Sequence, residues 1–320
     1  MQTTRLAPSP TGALHLGNAR TFLVNWTLAR RGGWRVILRI EDIDGPRIKR
    51  GADRQAIEDL RWLGIDWDEG PIYQSGRRAI YDAALQRLLD AQVAYPCVCS
   101  RSEAATAASA PHAEDGSAVY PGTCRGRFAS ADEARRLTGR NPAIRFAVPP
   151  GIIEFKDGFA GPIRMDVQQQ LGDFVIAKSD LSPAYQLAVV ADDARMNVTQ
   201  VIRGDDLIDS TPRQILLYRA LDLADRIPDY VHLPLVVGPD GRRLAKRHGD
   251  TRLSHYRQRG VSAERVIALL ARWCGIDPHA ESTTAQAFAE RFDPATMPRH
   301  RIVFTAEDDQ WLLAGAQRHQ

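Results

Sequence analysis

A chain of 320 residues, 44% hydrophobic and 25% charged, is long enough for two or three domains and globular in composition. Its net charge of +3 is too small to imply nucleic-acid binding by itself, and no apolar run is long enough to span a membrane. The polar start Thr3-Thr4-Arg5 lacks the basic-then-apolar pattern of a secretory leader, which points to the cytoplasm; four cysteines there suggest metal or free thiols rather than disulfides.

The stretch from Arg5 to Asn18 is rich in Gly and Pro. A helical stripe follows, with Ala19, Phe22, Leu23 and Trp26 on one face, Arg30 and Arg31 in the last turn, and Gly32-Gly33 as the stop. Trp34 to Ile40 reads as a buried strand, giving strand–loop–helix–strand with the loop at a helix N-terminus. Such a loop offers unpaired backbone N–H groups and a positive dipole end to a phosphate. It matches neither the dinucleotide nor the P-loop glycine pattern. Glu41, Asp42 and Asp44 follow the strand end, where open α/β sheets bind ligands. Helices are predicted over 52–63 and 78–92.

Cys97 and Cys99 are two residues apart, so in a strand both thiols face one side. A low-complexity stretch from Ser102 to Ala118 separates them from Tyr120 and Cys124. Three cysteines in so short a segment fit a structural zinc clip. His112 is the ordinary guess for a fourth ligand, and three thiols without metal are the alternative. Cys274 lies in a helical pattern as a core thiol. Residues 143–148, 152–155 and 173–177 read as strands, as do Leu187–Ala191, ended by Asp192-Asp193, and Thr199–Ile202. Ser210 is placed as a helix cap with Pro212 at the first helical position. Leu233–Val237 reads as a strand and Gly238–Gly241 as a turn. Beyond 255 the pattern is helical, with Ser262 capping a helix that runs to Trp273 and Thr305 opening another with capping-box spacing.

Several of these stretches carry a family resemblance. His15-Leu16-Gly17-Asn18 resembles the HIGH signature of class I aminoacyl-tRNA synthetases, and the Pro-Ser-Pro-Thr-Gly before it looks like their glutamyl branch. Arg39 to Arg47 resembles that branch's RIEDTD stretch, and Val189 to Gln214 its VVDD, VIRG and STPRQ block. Arg243-Leu-Ala-Lys246-Arg247 is similar to the KMSKS loop, with Arg for the first Lys and Ala for Ser.

The resemblance implies an α/β class I fold: a Rossmann-like nucleotide-binding domain, an inserted zinc-containing α+β subdomain, and a short helical C-terminal region. The boundaries it suggests are 1–95 and 183–254 for the catalytic halves, 96–182 for the insertion, and 255–320 for the helices. It implies that His15, Gly17, Asn18 and Lys246 bind ATP, with His15 and Lys246 catalytic on its phosphates, and that Mg²⁺ accompanies the nucleotide. Arg5, Ser9, Glu41, Tyr185 and Arg203 would hold L-glutamate, with Glu41 on the ammonium. Some members bind zinc through Cys-x-Cys and Tyr-x-x-x-Cys, which would make Cys97, Cys99, Tyr120 and Cys124 ligands of one zinc ion per chain. No anticodon-binding region is expected after residue 255, where a full glutamyl enzyme would carry one. That predicts the truncated glutamyl branch, which forms glutamyl-AMP without tRNA and transfers glutamate to the queuosine base in the anticodon of tRNA(Asp). The alternatives are a short synthetase charging a tRNA acceptor end and a non-catalytic RNA-binding module.

Overall fold

The computed structural model describes residues 1–100, 102–104, 119–242, 244 and 249–315. The chain divides into two compact units, one formed by 1–73, 200–205 and 231–320, the other by 74–199 and 206–230.

In the first unit, strands Thr3–Leu6, Arg35–Ile40 and Glu69–Tyr73 make a parallel sheet in that order, with Arg5 opposite Ile37 and Ile40 opposite Tyr73. The helix Leu16–Gly32 connects the first two strands. It buries Leu16, Ala19, Leu23, Val24 and Trp26. Gly33 stops it at φ 64, the left-handed conformation that suits glycine, and Arg30 and Arg31 lie at the negative end of its dipole. Arg20 is buried on this helix and donates to the Pro234 carbonyl at 2.7 Å. In the helix Ala52–Trp62, Asp59 is fully buried and accepts from Gln55 Nε2 at 2.8 Å. Burial pushes its carboxyl up to about 6, against the pull of the Gln55 bond and Arg257. The C-terminal helices Ala263–Trp273, Ala285–Arg291 and Ala306–Ala314 start at Ser262, Thr284 and Thr305, whose hydroxyls accept from the third backbone N–H onward. Thr305 and Asp308 form the capping box expected from their spacing.

The second unit contains an antiparallel sheet of Ala94–Cys97, Ala143–Phe146 and Phe174–Ala177, with Tyr95 opposite Arg145 and Cys97 opposite Ala143. Beside these strands in the sequence is the hairpin Ile152–Asp157 with Gly161–Asp166, whose turn is tied by Asp157 Oδ1 to the N–H groups of Phe159 and Ala160. The helices Arg78–Asp90 and Tyr185–Arg195 are joined through one buried carboxylate. Asp192 accepts from Arg77 Nε at 2.6 Å on one oxygen, and from Gln74 Nε2 and Tyr81 Oη, each at 2.8 Å, on the other.

Four sequence expectations are corrected here. Leu187–Ala191 is the middle of the helix Tyr185–Arg195, not a strand; every residue from Leu187 to Ala194 is buried, so a continuous apolar run carried no helical period. The cap before the helix Ser210–Ala220 is Asp209, and Ser210 Oγ instead accepts from Gln186 Nε2 at 3.0 Å. Pro212 is therefore the third helical residue, still within the first turn, where a missing N–H costs no intrahelical bond. The strand expected over 233–237 is two pieces, Asp229–Leu233 and Val236–Val237, parted by Pro234. Cys99 lies past the end of its strand, so strand alternation does not set where its thiol points.

Candidate functional site

The turn into the helix Leu16–Gly32 is organised by His15. Its backbone is extended, at φ −113 and ψ 169, and its side chain caps the helix. Nδ1 accepts from the N–H groups of Gly17 and Asn18 at 3.1 and 3.3 Å, while Asn18 Oδ1 accepts from the His15 N–H at 3.1 Å. Two donors aimed at Nδ1 leave the proton of a neutral ring on Nε2, so the imidazole offers a donor at the positive end of the helix. Gly17 makes this possible. A Cβ there would lie 3.0–3.1 Å from the His15 ring, closer than a side chain ordinarily sits. On the other side, the Leu16 N–H donates to the Thr251 carbonyl and the Leu253 N–H to that of Leu14, at 3.0 and 2.9 Å. The segment that follows the KMSKS-like loop is thus laid against the histidine turn. Asp250 sits there with Arg252 and His255; the bond to Arg252 is the main cause that holds its carboxyl down at about 2. Lys246 lies outside the described residues, as does His112.

The candidate glutamate residues Arg5, Ser9, Glu41 and Arg203 belong to the first unit. Arg5 is buried on the first strand, and its carbonyl is held by Asn25 Nδ2 at 3.0 Å. Glu41 follows the second strand and is buried, with Arg39 Nη2 3.0 Å from its Oε1. Its N–H donates to the Pro8 carbonyl at 3.0 Å, and Lys49 N–H donates to that of Pro10 at 2.9 Å. These bonds seat the exposed Ser9 and its proline-rich loop beside Glu41, at the carboxyl ends of parallel strands. Arg203, near the end of the strand Gln200–Gly204, donates from Nε to His232 Nε2 at 3.0 Å, and both side chains are buried. Tyr185, in the second unit, is the first residue of the helix Tyr185–Arg195.

The cysteine segment closes on itself. The thiols of Cys97, Cys99 and Cys124 lie within 4.8 Å of one another. The Tyr120 hydroxyl is 3.3 Å from Cys97 Sγ and 3.5 Å from Cys99 Sγ, and it accepts from the Cys124 N–H at 2.9 Å. Cys99 and Cys124 thiols are 3.5 Å apart. Tyr120 is placed by a bridge to Gly172, whose φ is +66 and where an added Cβ would lie only 2.8–3.0 Å from the Tyr120 backbone. Burial, followed by the neighbouring thiols, raises the Cys99 thiol to about 11 and raises the Tyr120 hydroxyl as well. At Cys124 burial pushes upward too, but the Tyr120 hydroxyl and the Val98 backbone outweigh it and the thiol is lowered. Zinc in a tetrahedral set, with bonds of about 2.0–2.3 Å, separates its ligands by roughly 3.5–3.8 Å. The Cys99–Cys124 and Cys99–Tyr120 pairs stand at 3.5 Å and the three sulfurs lie within 4.8 Å of one another, close enough for the cluster to hold a metal ion.

Sequence reading passed over Arg39, His232 and Arg145. An arginine inside an apolar strand is a signal, because burial requires a partner; Arg39 meets Glu41 and Arg145 meets the cysteine cluster. His232 carried no such signal.

The model of the class I tRNA synthetases (E and Q), catalytic domain, matches residues 2–308. A protein of Symbiobacterium thermophilum named Glutamyl-Q tRNA(Asp) synthetase is 50% identical, over 97% of this chain and 98% of that protein. A Glutamate–tRNA ligase from a Synechococcus strain is 45% identical, over 96% of this chain but 64% of its own length. The crystal structure of a Glutamate-tRNA synthetase from Elizabethkingia anophelis superposes with a TM-score of 0.80 at 28% identity, covering 97% of this chain and 69% of that one.

Proposed function

The chain belongs to the class I tRNA synthetases (E and Q), a family of ligases, and from that premise we propose that it activates L-glutamate with ATP and transfers the product to tRNA(Asp). The observation that carries the activation step is the His15 turn, where an Nε2 donor, a helix N-terminus and a glycine free of a side chain meet. Activation is attack of a glutamate carboxylate oxygen on the α-phosphate, giving glutamyl-AMP and pyrophosphate. The nucleophile is already ionised, so no general base is needed, and positioning with charge stabilisation does the work. In this reading the neutral His15 ring donates from Nε2 to the phosphates, Gly17 and Asn18 shape the nucleotide floor, and Lys246 adds a cationic donor. Mg²⁺ enters with ATP. Glu41 meets the ammonium of glutamate, and Arg5 and Arg203, with Ser9 and Tyr185, meet its carboxylates, for which a guanidinium offers paired donors.

The acceptor is the queuosine base in the tRNA(Asp) anticodon, a reading supported by the name of the 50% identical relative. In this reading the protein works in the cytoplasm, where its tRNA is found. Cys97, Cys99, Tyr120 and Cys124 hold one zinc ion, which fixes their segment and takes no part in the chemistry.

The test is ATP–pyrophosphate exchange with glutamate, ATP and Mg²⁺ alone, followed by transfer of labelled glutamate to tRNA(Asp) with and without queuosine. Exchange should need no tRNA, and the charged product should survive removal of the 3′-terminal adenosine. Exchange that appears only with tRNA, or transfer abolished by trimming the 3′ end, would leave the acceptor-charging reading that the 45% identical ligase suggests.

A further inference from the structure

Arg145 sits in the middle strand of the second unit's sheet, opposite Tyr95, with its side chain half-buried. Its Nε donates to Cys97 Sγ at 3.3 Å. Its guanidinium carbon stands 3.9 Å over the centre of the Tyr120 ring. Its Nη1 donates to the Asp173 carbonyl at 2.8 Å. All three contacts are directional and together fix the plane of the fork. Among the described residues no carboxylate pairs with it. The nearby Asp173 carboxylate is engaged instead by Arg125, the Tyr95 hydroxyl and the Val148 N–H. A half-buried cation has therefore been set against a thiol and a phenol rather than against an acid.

We infer that Arg145 is the charge-compensating outer partner of the cysteine cluster, holding Cys97 and Tyr120 in ligand geometry and offsetting the negative charge that their metal-bound forms carry. The inference rests on the zinc reading of that cluster. Three thiolates around one divalent cation leave a negative charge in excess before the tyrosine oxygen is counted. Water disperses such charge poorly at buried sulfur. A guanidinium bonded to one sulfur and stacked on the tyrosine ring does so without competing for the metal, because it has no lone pair to donate. Outer partners of this kind orient ligands and tune affinity, and their loss ordinarily weakens metal binding by about 10–100-fold.

The experiment measures zinc affinity by chelator competition on the full chain, for wild type, Arg145→Gln and Arg145→Lys, with circular dichroism of each zinc-loaded protein as the check on folding. Arg145→Gln keeps a donor and loses the charge; it should bind zinc about 10–100-fold more weakly. Arg145→Lys keeps the charge and should recover most of that loss. Cobalt in place of zinc should show a shifted thiolate charge-transfer band in the Gln variant, which a change in remote packing would not produce. Wild-type affinity in Arg145→Gln overturns the inference. If Arg145→Gln does not fold, Arg145→Lys decides alone: affinity near wild type upholds the role of charge, and affinity as weak as that of Cys99→Ser overturns it. Wild-type protein that takes up neither zinc nor cobalt would instead remove the zinc reading itself.

Discussion

The histidine turn and the cysteine cluster reach order by opposite routes. At His15 the capping partners are neighbours: Gly17 and Asn18 supply the bonds of the cap within one helical turn, and the backbone at Leu14 and Leu16 is joined to the distant Leu253 and Thr251. At the cluster the four candidate ligands come from two segments, and their placement depends on Arg145 and Gly172, further along the sequence. A locally closed site can be weakened one bond at a time. A site assembled over distance needs something that rewards all its members at once, and a metal ion does that.

The sharpest break of the comparison is at the cluster. Cys99→Ser, or removal of metal by a chelator, should take zinc from about one per chain to near none and lower the melting temperature of the protein. Metal analysis and thermal unfolding read both. Metal-free wild type with an unchanged melting temperature would show that the cluster closes as locally as the histidine turn does.

At His15 two substitutions separate capping from chemistry. Asn is itself a good cap, so His15→Asn should cost less than about 1 kcal/mol of stability while lowering exchange by roughly 100-fold through loss of the Nε2 donor. His15→Ala should lose both the cap and the donor. Equal exchange in wild type and His15→Asn would reduce the histidine to a helix cap. Gly17→Ala is a milder probe. In an open helix it would add about 1 kcal/mol of stability. Here the new Cβ meets the imidazole, so urea unfolding should show no gain and ATP affinity should fall by roughly tenfold.

A pH-dependent effect lies outside both sites, in the helix Ala52–Trp62. Asp59 titrates at about 6 in the folded chain, above the value near 3.9 of an unfolded carboxyl. The folded state therefore binds more protons within that window, and stability falls as pH rises through it. Asp59→Asn should exceed wild type by roughly 2–3 kcal/mol at about pH 8, with the gain shrinking toward about pH 4, as measured by urea unfolding. A gain independent of pH would point to packing rather than to the buried charge.

What the sequence showed follows the same division. The helix stop at Gly33 and the caps at Ser262 and Thr305 are set by residues near one another, and turn chemistry exposes them. Cys97, Cys99, Tyr120 and Cys124 were legible as a set through spacing and resemblance, although Cys99 joins the others from outside the strand. The helix at Leu187–Ala191 was hidden because burial on all sides erases periodicity. His232 carried no signal, and Arg145 signalled a need for a partner but not which one, because the residues they serve are 29 and 48 positions away.

The carboxylate of Asp192 bears on how this chain can change over generations. It answers three donors, from Gln74, Arg77 and Tyr81, inside a fully buried position. A replacement there without a side-chain oxygen strands all three at once, whereas replacing one donor leaves two. Change at this corner is therefore easier on the donor side, one residue at a time, than at the aspartate.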